Sequence, residues 1–399
     1  MNRKVYQVLV ATSSVTLSVE DKLSLGIYLH VPFCEKKCHY CDFLITVHSD
    51  QAHRLNFIQA LKKQICFLAP LYTNRNIQTL YFGGGTPSLL SINEIETILS
   101  TLRSSFSFDQ NVEITFEANP GDFDQEKLEG LLRLGINRLS LGVQSFDGQM
   151  LRELGRNHDL TATEKMLTIL KKQGLANVSF DLLMAVPGQS FQQWGETLAK
   201  ALAYSPQHFS IYDLEIQPKT YFDYLLSKNK IKPSSQDLSM RMYEETEKEL
   251  MKAGYWQYEL ASFSLPGFEC RHNLRYWNHQ EYLGLGPGAY SYMDDERFQW
   301  ASTIFRYYEK SELALWEKDF SEKITPKIKE KEILLTQIRL DHGLDLRKVK
   351  SIQRSIQPVL QKMSEEKLLD VKHEIVKLTS RGKQVYESIV EELLGSVNE

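Results

Sequence analysis

The sequence predicts an α/β fold: a partial (β/α)6 TIM-like barrel followed by a smaller helical, winged-helix-like domain at the C-terminus. Three observations support this. Between Leu25 and Tyr212, six short apolar runs alternate with amphipathic segments. Such alternation implies parallel strands joined by right-handed crossovers, because a helix must carry the chain back to the start of the next strand. Beyond about Phe305 the chain turns rich in Lys and Glu and reads as helical, and near its end two short apolar runs flank a polar turn.

The elements follow in order. Residues 1–24 read as a loose extension. Arg3 and Lys4 precede a partly apolar stretch, Val5–Val10, which Gln7 interrupts, so it makes a poor signal-peptide core. No acidic residue occurs before Glu20, which leaves an organellar transit peptide as the alternative. The six apolar runs are Leu25–Val31, Ile77–Phe82, Val112–Phe116, Arg138–Val143, Val178–Met184 and His208–Tyr212. Between them, Ser91 and Glu94 form a capping box. Ile95, Ile98, Leu99 and Leu102 then share one helical face. Leu128, Leu131 and Leu132 mark a helix ending near Gly135, and Met166, Leu167 and Leu170 mark one ending at Gly174. Asp237–Ala253 reads as a charged helix, and Tyr282–Tyr292, with Gly284, Gly286 and Gly288, as a turn-rich stretch. Leu368–Val371 and Ile375–Leu378 read as a hairpin, followed by a helix over Gln384–Leu394. The expected domains are the extension 1–24, a core over 25–300 and a C-terminal unit over 301–399. In folds of parallel strands, chemistry sits at the C-terminal strand ends.

Bulk properties narrow the class. The chain has 399 residues, 42% hydrophobic and 25% charged, as in ordinary globular proteins. A net charge of −4 argues against a duplex nucleic acid partner. No apolar run approaches the roughly 18 residues that a membrane span needs, so at most a peripheral membrane contact is expected. The five cysteines, at 34, 38, 41, 66 and 270, are odd in number and clustered. That is a poor disulfide framework and points to metal binding in a reducing compartment, the cytoplasm.

Cys34, Cys38 and Cys41 are spaced C-x3-C-x2-C on the loop after the first strand. Thiolates are soft ligands for zinc or for iron–sulfur clusters. Three thiolates leave one iron of a cubane open to a bidentate small molecule. Structural zinc, with His30, His39 or His48 as fourth ligand, is the competing reading.

The triplet, with Tyr40 before its last cysteine, resembles the radical S-adenosylmethionine superfamily. The string YLHVPFCEKKCHYCDF is similar to the group of oxygen-independent coproporphyrinogen III oxidases and the heme chaperone HemW family. The resemblance spans roughly Leu25 to the C-terminus. It implies a [4Fe–4S] cluster on the three cysteines, with S-adenosylmethionine on the open iron. It also assigns cofactor contacts to Tyr28, Tyr40, Gly84, Gly85, Thr86, Glu117, Gln144, Arg156 and Asp181. Taken singly, the glycines of Gly83-Gly84-Gly85-Thr86-Pro87 also fit a tight turn, and the polar groups fit a solvated surface.

His272-Asn273-Leu274-Arg275-Tyr276-Trp277 matches the H-N-x-x-Y-W motif associated with heme in the chaperone branch. An imidazole can ligate heme iron, and aromatic rings suit a macrocycle. Composition alone would favour a buried histidine in an aromatic cluster. Asp42 and Phe43 follow Cys41, so the fourth cysteine of the oxidase branch is absent. Ala185-Val186 stands where relatives often carry Gly-Leu before Pro-Gly-Gln. The resemblance therefore implies a chaperone that binds heme and delivers it to apo-hemoproteins, with those of respiration as candidate acceptors and no catalytic residue of its own. The alternative is a radical enzyme acting on a porphyrinogen. Whether a homodimer forms, or a second S-adenosylmethionine binds, stays open at this level.

Overall fold

The computed structural model describes residues 23–47, 50–122 and 124–398. The expectations for the N-terminal extension therefore fall, apart from its last two residues, outside the described residues.

Six parallel strands form the expected series: β1 Ser24–Val31, β2 Asn76–Gly84, β3 Ser107–Ala118, β4 Arg138–Gln144, β5 Val178–Met184 and β6 His208–Asp213. Each pairs with the next in order. The sheet does not stop there. Later in the chain come β7 Trp256–Glu259, β8 Ser262–Ser264, β9 Tyr282–Leu285, β10 Tyr290–Met293, β11 Glu296–Gln299 and β12 Phe320–Lys323. The twelve strands run β12-β11-β10-β9-β1-β2-β3-β4-β5-β6-β8-β7. β9 lies parallel to β1, a seventh parallel strand, and antiparallel strands flank both edges, so the barrel is open. The glycine-rich stretch 282–292, read from sequence only as a turn, supplies β9 and part of β10.

Strand parity explains the two faces. Leu25, Ile27, Leu29 and Val31 are fully buried against the helices, while Tyr28 and His30 alternate to the inner face. The same alternation sets Glu117, Ser140, Ser179 and His208 in one row across β3 to β6. A polar row there makes the barrel interior a chamber rather than a packed core. The apolar core lies outside it, between strands and helices.

The covering helices begin on side-chain caps. Ser91 and Glu94 form the expected capping box of helix Ile92–Ser105, and Ser190 with Gln193 forms a second on helix Phe191–Ala203. Gly174 closes helix Leu160–Gln173 with φ 64°, a left-handed conformation.

The first core continues through Trp300, Ala301, Tyr307 and Trp316. Segment 301–323 thus packs with the barrel, beyond the boundary expected at residue 300. A separate core built on Leu334, Ile352, Ile356, Leu360, Val376 and Ile389 defines the C-terminal unit. It joins helices Pro326–Gln337, Lys350–Glu365 and Tyr386–Asn398 to a three-stranded antiparallel sheet. The hairpin Leu369–Lys372 and Ile375–Leu378 is its wing.

Arg339 fastens the two units. Its guanidinium pairs with the buried Glu259 carboxylate at 2.7 Å and lies 3.7 Å above the Trp277 ring.

Candidate functional site

The C-terminal strand ends surround a cavity of about 350 Å³. Cys34, Cys38 and Cys41 border it, together with Tyr40, Gly84, Gly85, Thr86, Glu117, Gln144, Arg156 and Asp181. Six separate segments of sequence thus meet in one place.

The cysteine loop is held by its neighbours. Cys34 Sγ lies 3.4 Å from the Thr86 hydroxyl, and the Gly85 N–H donates to the Val31 carbonyl at 2.8 Å. A Cβ on Gly85 would meet the Phe33 carbonyl oxygen at 2.6 Å and Cys34 Sγ at 3.1 Å, so only glycine lets β2 pass this close. Burial pushes the Cys34 thiol up to about 11 and raises Cys41 as well. A bound cation reverses this preference, since a coordinating thiol is deprotonated. Among the described residues, no three His, Cys, Asp or Glu side chains converge tightly enough to hold one metal ion. A cubane, in which each thiolate holds its own iron, asks for a wider spread. Of the candidate fourth zinc ligands, His30 has both ring nitrogens bonded, Nδ1 to the Tyr28 hydroxyl at 3.1 Å. His30 Nε2 bonds the Leu44 carbonyl, His39 Nδ1 bonds the Glu153 carbonyl, and His48 is not described.

Arg156 is the hub of the opposite wall. Its guanidinium donates to Cys38 Sγ at 3.3 Å, to the Tyr40 hydroxyl at 3.3 Å, to the Gly142 carbonyl at 3.2 Å and to the Asn119 side-chain oxygen. The neighbouring Cys38 and Tyr40 groups favour its charged form against the cost of burial. Its Nε is buried without a partner, a donor available to a ligand. Gln144 takes a left-handed φ of 63° at the end of β4. That uncommon conformation turns it out of the strand's alternation. A Cβ on Gly142 would lie within 3.2 Å of Gln144, Asn119 and Arg156 atoms, so these three groups crowd together above it.

Two carboxylates face the chamber. Glu117 accepts from the Tyr81 hydroxyl at 2.8 Å and the Gly84 N–H at 3.2 Å. Burial still raises its carboxyl to about 7. Asp181 accepts from Ser140 Oγ at 3.0 Å, and burial raises it to about 6. Both can accept hydrogen bonds from hydroxyl or ammonium groups of a ligand. The three thiols, the glycine cradle, the unpartnered Arg156 Nε and the acceptor carboxylates together fit a cluster with an amino-acid nucleoside bound to it.

The heme-type motif lies elsewhere. Helix Arg271–Trp277 closes the barrel floor, where the Glu113 carboxylate accepts from the Arg271 and His272 N–H groups. Only Asn273 of the motif borders the chamber. His272 is fully buried, with Nδ1 bonded to the Thr79 hydroxyl and Nε2 to the Tyr276 hydroxyl, each at 2.8 Å. Burial lowers its imidazole to about 3, so it is neutral. Tyr276 and Tyr28 border a second, open cleft of about 330 Å³. Trp277 borders neither cavity and packs under Arg339.

Sequence reading did not single out Arg138, Ser140, His208, Ser210 and Cys270 as chamber residues, nor Phe43, Tyr282 and Tyr290 at the cleft. Strand parity counted from the known inner residues would have found Arg138, Ser140, His208 and Ser210. Nothing local marks the others.

Comparison with known proteins is consistent with this geometry. Residues 28–201 match the model of the radical SAM superfamily. A heme chaperone HemW of Synechocystis sp. is 36% identical over 337 residues, 82% of this chain and 81% of that protein. The heme chaperone HemW of Lactococcus lactis is 30% identical across 92% of this chain and 96% of its own length. Among solved structures, coproporphyrinogen III oxidase (HemN) from Escherichia coli superposes with a TM-score of 0.83 over 94% of this chain and 90% of that chain, at 23% identity. That likeness establishes the shared fold.

Proposed function

This chain belongs to the heme chaperone HemW family of the radical SAM superfamily, and from that membership we propose that it binds heme and delivers it to apo-hemoproteins. Cys34, Cys38 and Cys41 hold a [4Fe–4S] cluster in this reading, and S-adenosylmethionine occupies the chamber beside it. One observation carries the proposal: the cluster-type residues ring one cavity, the heme-type helix closes its floor, and Asp42-Phe43 stands where a fourth cysteine would complete an oxidase-type motif.

When bound, the cluster supplies one-electron chemistry toward the sulfonium. The chain's own residues orient and enclose. Gly84 and Gly85 let the backbone approach the methionyl end, and Thr86 fixes Cys34. Arg156 offers Nε to an anionic group while bracing Cys38 and Tyr40. Glu117 and Asp181 accept from ribose or ammonium donors, and their raised proton affinity favours a ligand that brings positive charge. No described helix is long and apolar enough to cross a membrane. The five free cysteines support a reducing, cytoplasmic setting.

The test is anaerobic purification, cluster reconstitution, and incubation with reductant, S-adenosylmethionine and either heme or a porphyrinogen. Stoichiometric heme uptake and transfer to an apo-hemoprotein, without catalytic release of 5′-deoxyadenosine, is the expected outcome. Multiple turnovers with decarboxylation of the porphyrinogen would overturn it in favour of an oxidase.

A further inference from the structure

The motif helix presents Tyr276, not His272, to open space. The cleft that Tyr276 borders lies beside the chamber, and Phe43 lines both. Tyr28, His30, Tyr282 and Tyr290 form the rest of its aromatic wall, with Leu44 alongside, and both His30 ring nitrogens are engaged, by the Tyr28 hydroxyl and the Leu44 carbonyl. The Tyr276 and Tyr282 rings meet edge to face at 4.6 Å. Phe43 and Tyr290 are 59% and 46% exposed, so both rings offer open surface to a flat ligand.

Charge decides the class of ligand. Among the described residues, no Lys, Arg, Asp or Glu borders the cleft. A nucleotide or amino acid buried there would leave its charges unpaired at high cost. A porphyrin would not, because its body is flat and apolar and its carboxylates sit together at one edge, which can stay in water. A volume of about 330 Å³ with an open side can seat one part of such a disc and leave that edge outside.

We infer that heme lies in this cleft against Tyr276 and Tyr290, and that His272 acts as a positioning residue for the Tyr276 hydroxyl rather than as an iron ligand. The inference rests on the heme-binding reading above. His272 has no free nitrogen in either neutral tautomer: one ring nitrogen donates, the other accepts, and Thr79 and Tyr276 take both. Ligating iron would require breaking one of these bonds and moving a fully buried ring. The arrangement instead sets Tyr276 at the cleft and leaves Phe43 as the shared wall between heme and cluster.

The experiment is a hemin titration of the full, cluster-reconstituted chain, followed by Soret absorbance and by electron paramagnetic resonance of the ferric heme. Tyr290→Ala should weaken heme binding by about tenfold or more, and Tyr290→Phe should restore it, because the ring supplies the contact. Tyr290 is half exposed and borders only the cleft, so its loss leaves iron and sulfide content unchanged. His272→Ala should lower affinity yet leave the Soret maximum and g-values of the remaining bound heme as in the unsubstituted chain. Unchanged affinity in Tyr290→Ala, or a changed ligand field in His272→Ala, would overturn the inference while the chaperone reading stood. Absence of heme binding by the unsubstituted chain would remove both.

Discussion

Two glycine-to-alanine substitutions should act with opposite sign, and the structure gives the size of each. At Gly85, an added methyl would sit 2.6 Å from the Phe33 carbonyl oxygen, 3.0 Å from the Val31 carbonyl oxygen and 3.1 Å from Cys34 Sγ. Two of these neighbours are backbone and cannot rotate aside. The third is a cluster ligand. Overpacking of this kind costs about 1–3 kcal/mol, and relief requires shifting the very loop that places Cys34. At Gly195, inside helix Phe191–Ala203, the methyl would meet nothing within 4 Å. There alanine gains about 0.5–1 kcal/mol from helix propensity. Denaturant midpoints of the ligand-free chain report the stability of each variant, and iron and sulfide per chain after anaerobic reconstitution report the site. Gly85→Ala should lower both the midpoint and the cluster content, whereas Gly195→Ala should raise the midpoint and leave the content alone. A Gly85→Ala chain with wild-type midpoint and full cluster loading would refute the packing argument.

Three further outcomes are expected. Glu117 is raised from 4.5 to about 7, so the native chain holds its proton through that interval. The associated stability, on the order of 3 kcal/mol, is present below pH 4.5 and is lost as pH rises through 7, and Glu117→Gln should flatten that dependence in ligand-free unfolding measured from pH 5 to 8. Ala185 sits at φ 54°, a conformation that costs a side-chain-bearing residue roughly 1 kcal/mol, so Ala185→Gly should raise the denaturant midpoint, and a lowered midpoint would contradict this. Arg339→Met strands the Glu259 carboxylate, which is 3% exposed, and should cost about 3–5 kcal/mol, while adding Glu259→Gln should recover most of the loss; equal stability of the single and double variants would show that the pair is not what matters.

The Ala185 case shows how a departure in sequence became a physical statement. The resemblance leads one to expect glycine there, and the left-handed backbone of the turn after β5 favours it on physical grounds. The chain tolerates the strain because Ala185 is buried in the barrel core, where packing holds the turn in place.

Local pattern alone determined the series of six parallel strands, the capping box at Ser91, the left-handed stop at Gly174 and the wing hairpin near the end. Each rests on periodicity or on one residue's conformational preference, which neighbours in sequence express. The cysteine triplet was equally legible, because its spacing is itself the chemistry. Tertiary structure decided the rest. Strand β9 pairs with β1 across more than 250 residues, and nothing in Tyr282–Leu285 announces that partner. His272, marked from sequence as a candidate heme contact, proves to be buried with both nitrogens bonded, because Thr79 and Tyr276 close around it from opposite sides. The aromatic cleft, built from β1, the cysteine loop, the motif helix and the β9–β10 turn, exists only when these distant segments meet. Spacing names the groups that can do chemistry, but which of them reach a ligand depends on burial and hydrogen bonding, and those are properties of the assembled fold.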